Sequence, residues 1–259
     1  MTTARDGAAV RPQRPFAELV LLSALVLAVF TGLIGLGTWQ LQRRAWKLDL
    51  IAKVNARVHA PPVPAPGPSA WTHITAASDA YRRIAVAGMF ENDKETLVQA
   101  VTELGPGFWV MTPLVSDTGV IVLVNRGFVP PERRDPRMRE KGQIPGPVRL
   151  VGLLRVSEPR GGFLRRNAPA SERWYSRDVA AIATARGLPS GQTAPYFIDA
   201  DSTPNAGGLP VGGLTVIAFP NSHLVYALTW YGLASMLAGG FAYAARAEGR
   251  MRREVIARA

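Results

Sequence analysis

Three histidines and no cysteine occur in 259 residues, which removes thiolate zinc sites, iron–sulfur clusters, CxxC redox pairs and disulfide frameworks from consideration. No HExxH, GxSxG, Walker or dinucleotide-binding glycine pattern occurs. The nearest approach to an acid pair is Asp199 with Asp201. Two apart on a strand they would share a face and could do acid–base work. A loop carboxylate bonding its own backbone ahead of Ser202-Thr203-Pro204 is the plainer alternative. His223 differs from His59 and His73 by position, between Asn221-Ser222 and the first apolar residue of a long uncharged run. There an imidazole can keep one nitrogen wet and offer the other inward, and neutral imidazole is a common ligand for haem iron. Hydrogen bonding to lipid or to a loop carbonyl would explain the same placement. Tyr226 and Trp230 follow on the same segment, Trp230 two helical turns beyond His223. They could flank a flat ring, or serve as interfacial aromatics.

A second set of candidate binding groups is cationic. Arg126, Arg133, Arg134, Arg155, Arg160, Arg165, Arg166, Arg173 and Arg177 fall in the middle of the chain, and arginine forks suit propionates, acidic protein surfaces and lipid phosphates. A solvated charged face is the alternative. The whole chain carries 30 Lys and Arg against 19 Asp and Glu, a net charge of +11, yet 47% of it is hydrophobic. That combination excludes a mostly disordered chain.

Two apolar runs must position these groups. Leu19–Thr38 is twenty residues without a charge, twelve of them Leu, Ile, Val or Phe, the length needed to cross a hydrocarbon core of about 30 Å. At roughly −0.3 to −0.6 kcal/mol for each such residue, insertion is favoured by about 5 kcal/mol. A cleaved signal peptide ending near Gly35-Leu36-Gly37 is the competing reading. The second run, Leu224–Ala245, is richer in Ala and Gly, and Ala234, Ala238 and Ala242 recur at four-residue spacing, a small-residue face for close helix packing. Arg5, Arg11, Arg14, Arg246, Arg250, Arg252, Arg253 and Arg258 lie outside the two runs, against Arg43, Arg44, Lys47, Lys53 and Arg57 just inside the first. The excess favours cytoplasmic termini and an external central domain. The expected organisation is a cytoplasmic tail (1–18), a first span (19–38), a membrane-proximal segment with a Pro-rich spacer (39–69), a periplasmic β-rich domain (70–223), a second span (224–245) and a basic cytoplasmic tail (246–259).

Within the central domain, residues 84–88, 96–101, 108–115, 120–125 and 148–156 are short β-branched or aromatic runs between turn residues. Ser116-Asp117-Thr118-Gly119 joins two of them as a hairpin. Asp178, the apolar run Val179–Ala185, Arg186 and Gly187 form one well-signalled helix. Five prolines within 60–68 preclude helix or central strand and predict a stiff spacer. The expected fold class is therefore two transmembrane helices flanking a β-rich, antiparallel α+β extracytoplasmic domain.

Several segments then match one family in order. They are Gly37-Thr38-Trp39-Gln40-Leu41 with Arg43 and Lys47; Tyr81-Arg82-Arg83 with Gly88 and Phe90; Thr112-Pro113-Leu114; and Val124-Asn125-Arg126-Gly127-Phe128-Val129-Pro130. Asn167, Trp174-Tyr175 and Arg177-Asp178 follow, then Pro195-Tyr196-Phe197-Ile198-Asp199, and finally Asn221 with His223-Leu224, Tyr226-Ala227 and Thr229-Trp230-Tyr231. The sequence resembles the Surfeit locus protein 1 family, membrane-anchored assembly factors of haem–copper cytochrome c oxidase. The resemblance implies a non-enzymatic role, placing haem a into subunit I of the oxidase, with His223 as the iron ligand. Subunit I, haem a synthase and membrane lipid become the candidate partners, and nucleic acid has no place outside a bacterial inner membrane. Trp230 and Tyr226 would flank the macrocycle, and Arg126 would hold a propionate. Ser222 and Phe128 depart from the family's usual Asn and Trp; Phe128 keeps the apolar contact and loses an indole donor. A protein-interaction chaperone that stabilises an oxidase intermediate without haem, and a tethered enzyme using Asp199 and Asp201, remain the alternatives.

Overall fold

The computed structural model describes residues 15–162 and 164–258; Arg5, Arg11 and Arg14 lie outside them. The chain divides into two compact units, one of residues 51–218 and the other of residues 1–50 with 219–259.

In the first unit the described strands are β1 (Val63–Pro64), β2 (Arg83–Phe90), β3 (Thr96–Thr102), β4 (Gly105–Val115), β5 (Ile121–Val129), β6 (Pro147–Val156) and β7 (Thr193–Ala200). They hydrogen-bond in the order β1-β2-β6-β7-β5-β4-β3, and β2 also pairs with β4. That extra pairing closes β2, β6, β7, β5 and β4 into a barrel, leaving β1 and β3 as flanking strands. Closure removes the unpaired edges an open sheet would present. Ile84, Leu114, Val122, Val124, Leu154, Tyr196 and Ile198, contributed by all five barrel strands, fill the interior. Alternate residues face outward, and Met111, Leu123 and Phe197 build a second core outside the wall with Trp174, Val179 and Ile182. With both faces covered, every residue of β5 is buried.

Two prolines explain how the ring closes. Pro113 lies beyond the last β4 residue paired with β3, Met111, and just before Leu114 and Val115 pair with β2, so its missing N–H falls where the neighbour changes. Pro195 lies where the β5–β7 register shifts, between the pairs Ile121–Thr193 and Leu123–Phe197. Its presence hid β7 from the periodicity. The antiparallel expectation is corrected here: β5 and β7 run parallel, as do β1 and β2. A parallel pair needs a long crossover, supplied by residues 130–192.

The expected local elements take their places around this ring. Ser116 N–H donates to the Val120 carbonyl at 2.8 Å and Gly119 adopts φ +77° in the β4–β5 turn. The short helix α3 (Val179–Ala185), numbered after α1 (Phe16–His59) and α2 (Ala76–Asp79), is capped by Asp178, whose side chain accepts from Ala181 N–H. Gly187 follows at φ +64°. The Pro-rich segment is stiff but not free-standing. Val63 and Pro64 pair with Ile84 and Ala85, and the Pro66 carbonyl accepts from Tyr196 Oη at 2.8 Å and Trp71 Nε1 at 3.0 Å. The compact unit accordingly begins at Ile51, ahead of the expected start at residue 70.

The other unit is built from the greater part of α1 and from α4 (His223–Arg258). Each exceeds its apolar run, since α1 continues through the mixed-charge segment to His59 and α4 through the basic tail. Both are long and apolar enough to cross a membrane. From Val26 to Lys47 the covered residues of α1 are Val26, Phe30, Leu33, Gly37, Gln40, Arg44 and Lys47, a spacing of threes and fours characteristic of a helix–helix seam. On α4 the seam passes through Ala227 and Ala234, each 1% exposed. It does not follow the Ala234, Ala238 and Ala242 face expected from the sequence, because Ala238 is exposed. The α4 seam is set by three- and four-residue steps from Ala227, and a strict four-residue row drifts off it.

Candidate functional site

Along the helix pair, polar residues meet where the apolar runs end. Gly37 lies under the Tyr231 ring, and a Cβ there would stand 2.7 Å from a ring carbon. Glycine is therefore what lets α4 approach. Tyr231 Oη and Thr38 Oγ1 are 3.1 Å apart, and Lys47 Nζ donates to the Pro220 carbonyl. Between these contacts Gln40 Oε1 lies 2.7 Å from His223 Nδ1. Residue numbers fall along one helix as they rise along the other, so the two helices are antiparallel.

His223 is the first residue of α4 and is half-buried. Its Nδ1 faces Gln40, while no hydrogen bond engages Nε2 among the described residues. On the same helix Trp230 is half-buried and Tyr226 is 54% exposed. Residues three and seven positions on from His223 lie roughly on its side of the helix. The structure thus places His223, Tyr226 and Trp230 along one stretch of α4. The donor set suits a flat, metal-centred ring: one imidazole nitrogen without a hydrogen-bond partner among the described residues, and two aromatic side chains beyond it.

Arg126 does not share this accessibility. It is 1% exposed, continues the inward-facing alternation after Val122 and Val124, and lies over the Phe90 ring at 4.5 Å. Its Nη1 donates to Asn92 Oδ1 at 3.1 Å and its Nη2 to the Gly142 carbonyl. Burial pulls its pKa down to about 10, opposed by Glu95 and reinforced by Arg139, so it stays charged at neutral pH. The expected propionate contact is corrected: the guanidinium is spent on internal acceptors and is covered. Its neighbours in sequence are equally structural. Gly127 has φ +132° and passes so close to Val211 that a Cβ would lie 2.2 Å from that carbonyl oxygen. Phe128 stacks edge-on against Trp109.

Asp199 is also buried, 2% exposed. It accepts from Asn125 Nδ2 and Arg155 Nη1, both at 2.8 Å, and from Arg177 Nη1 and Thr215 Oγ1, both at 3.0 Å. Arg177 also grips Glu158 with Nε at 3.1 Å and Nη2 at 2.6 Å. Burial would raise the Glu158 pKa, but hydrogen bonds and charge from Arg177, then Arg155, hold it below the ordinary value. Asp201 instead accepts from Thr203 N–H at 3.0 Å, the loop-acid arrangement. The two carboxylates therefore have separate tasks, one a buried counter-ion and the other a turn. Arg155, Arg177 and Asp199 floor a cleft of about 440 Å³ with Trp109, Leu214 and Val216 on its walls.

The sequence reading assigned no role to Gln40 or to the buried pair Arg139–Glu95. A signal for Gln40 is its place in the Gly37-Thr38-Trp39-Gln40-Leu41 stretch; Arg139 lies in a short, kinked 3-10 segment, Pro136–Gly142, whose sequence carries none.

The SURF1 family profile matches residues 27–235, taking in the Gln40–His223 pair, the whole barrel and Trp230. The chain belongs to the SURF1 family. It is 39% identical to Surfeit locus protein 1 of Mus musculus over 251 residues, covering 90% of this chain and 77% of the mouse protein. Against Surfeit locus protein 1 of Homo sapiens it is 37% identical over 260 residues, 89% of this chain and 83% of the human one. A SURF1-like protein of Caenorhabditis elegans is 28% identical over 250 residues, 88% of this chain and 75% of that protein. The SURF1 match thus extends across both units, including residues 27–50 of α1 and 223–235 of α4.

Proposed function

We propose that this SURF1-family chain is a membrane-anchored, non-enzymatic assembly factor of haem–copper cytochrome c oxidase that binds haem a and assists its insertion into subunit I. The observation that carries the haem part is His223, half-buried at the start of α4 with Nδ1 engaged and Nε2 without a partner among the described residues. The bound haem would supply a coordinable iron and a large apolar ring. His223 would ligate through Nε2, Trp230 and Tyr226 would flank the ring, and the helix seam would shield one side from water. A single protein ligand would suit a carrier, because a group held by one bond from the protein can be handed on.

In this reading α1 and α4 cross the cytoplasmic membrane of a bacterium, with both termini inside and the barrel outside. The tail arginines favour that orientation, attracted by the anionic inner leaflet. Lipid surrounds the helices, and subunit I and haem a synthase are the partners between which the haem would pass. The test is purification of the full chain in detergent from cells that make haem a. The expected result is a haem absorption band that His223→Ala removes or shifts, with oxidase assembly impaired in cells relying on that variant.

A protein-interaction chaperone without haem is the second reading. Val101 and Val216, 85% and 78% exposed, border the Asp199 cleft and offer apolar contact area. Wild-type protein without any haem band, together with retained binding to subunit I, would select it.

A further inference from the structure

Gln40 and His223 are 183 positions apart in sequence, and their side chains meet at 2.7 Å. A carbonyl oxygen accepts and cannot donate, so Gln40 Oε1 facing Nδ1 requires the proton of the neutral imidazole to sit on Nδ1. The lone pair is then on Nε2, and the five-membered ring directs that nitrogen away from Gln40. Free neutral imidazole exchanges between two tautomers; here the neighbouring helix selects one.

We infer that Gln40 is the positioning residue of His223: its side-chain carbonyl fixes the Nδ1–H tautomer and the ring plane, so that Nε2 is the atom presented to an incoming metal-centred ligand. Rings that ligate metal commonly donate their other N–H to an oxygen acceptor, which orients the ring and raises ligand basicity. Here the acceptor comes from α1 and the ligand from α4, so the ligating atom is set by the packing of the two helices. Gly37 beneath Tyr231 and Lys47 on the Pro220 carbonyl bracket Gln40 and hold the same register. Separation of α4 from α1 would release the ring, which gives a carrier a way to weaken its grip. The assignment of Nε2 as the metal-facing atom rests on the haem reading above, whereas the tautomer itself does not.

The experiment therefore has a ligand-free arm and a loaded arm, both on the full chain in detergent. In the first, imidazole nitrogen NMR on histidine-labelled protein, with His223→Ala for assignment, is expected to show a protonated Nδ1 and a bare Nε2. Gln40→Leu, similar in size, is expected to give a tautomer mixture. A wild-type His223 protonated at Nε2, or a tautomer unmoved by Gln40→Leu, would overturn the inference whatever happens with haem. In the second arm, haem a is titrated into each variant. Gln40→Leu is expected to weaken binding about 10- to 100-fold, and Gln40→Glu to raise the iron–histidine stretching frequency of the ferrous complex. A Gln40 that merely sets helix register would lower thermal stability in both variants without moving that frequency, which overturns the positioning role. Haem binding unaffected by His223→Ala, with the ligand-free arm as expected, would sink the haem reading and leave the tautomer selection standing.

Discussion

Asp199 in the barrel accepts hydrogen bonds from four side chains, whereas His223 on the helix pair has, among the described residues, one hydrogen-bond partner and one nitrogen without one. Arg126 and Arg139 follow the barrel's pattern, enclosed and bonded to internal oxygens. The barrel uses ions to tie together loops that a small apolar interior leaves loosely held. Such groups stabilise by being satisfied, and a satisfied group is unavailable to a ligand. On the helix pair, the His223 ring is half-buried and, among the described residues, keeps a nitrogen without a partner. Buried charge in the barrel unit thus serves structure, and in the proposed reading the under-partnered His223 serves binding.

The largest expected effect tests the barrel side. Asp199→Ala removes the buried carboxylate that Arg155 and Arg177 share, leaving them only the more exposed Glu158, and should cost about 3–5 kcal/mol. Chemical denaturation of the full chain measures it, and a loss under 1 kcal/mol would dissolve the contrast. Next come the two close approaches. Gly127→Ala forces a Cβ against the Val211 carbonyl at a φ of +132°, and Gly37→Val drives methyls into the Tyr231 ring. Each should cost roughly 1–3 kcal/mol, but only the helix-pair variant should also change the haem spectrum. Equal spectral effects would mean the two units do not divide the work as argued.

Smaller effects sharpen the helix-pair side. Trp230→Ala should weaken haem binding by about 0.5–1.5 kcal/mol, and Tyr226→Ala by less, because that ring is 54% exposed. Absorption titration ranks them, and the reverse order would move the ring-binding face around α4. The smallest concerns pH. Glu158 is held below its ordinary pKa of 4.5 by Arg177, against the upward pull of burial. A carboxyl group depressed in the folded state stabilises above its unfolded pKa and loses that contribution as pH falls through the folded one. Denaturation midpoints should therefore drop on acidification below about pH 4.5, and Glu158→Gln should flatten that slope.

How far the sequence carried this far differs by element. The apolar runs, the Asp178-capped helix and five of the strands were legible, since each is encoded by residues within a few positions of one another. β7 was not, because Pro195 breaks the alternation at the register shift. The Asn125-Arg126-Gly127 stretch is visible as a motif, yet its task is not, because a guanidinium looks the same in sequence whether it faces a propionate or is buried on internal acceptors such as Asn92 and Gly142. His223 is marked by its position at the edge of an apolar run; Gln40 is visible within the Gly37–Leu41 match, but nothing local gives it a task.

By itself, the sequence determined the two long apolar helices, the strand-rich centre, the lack of cysteine and the standing of His223 as a candidate, all of which follow from composition and short-range periodicity. Only tertiary structure decided that β2 meets β4 to close the ring, that β5 and β7 run parallel, that Arg126 and Arg139 are buried while Arg133, Arg134, Arg160, Arg165, Arg166 and Arg173 stay exposed, and that Gln40 reaches His223. Those outcomes depend on pairs separated by 74 positions for Asn125 and Asp199 and 183 for Gln40 and His223. Over such distances, which side chains meet is set by how strands and helices pack, and local pattern says nothing about it.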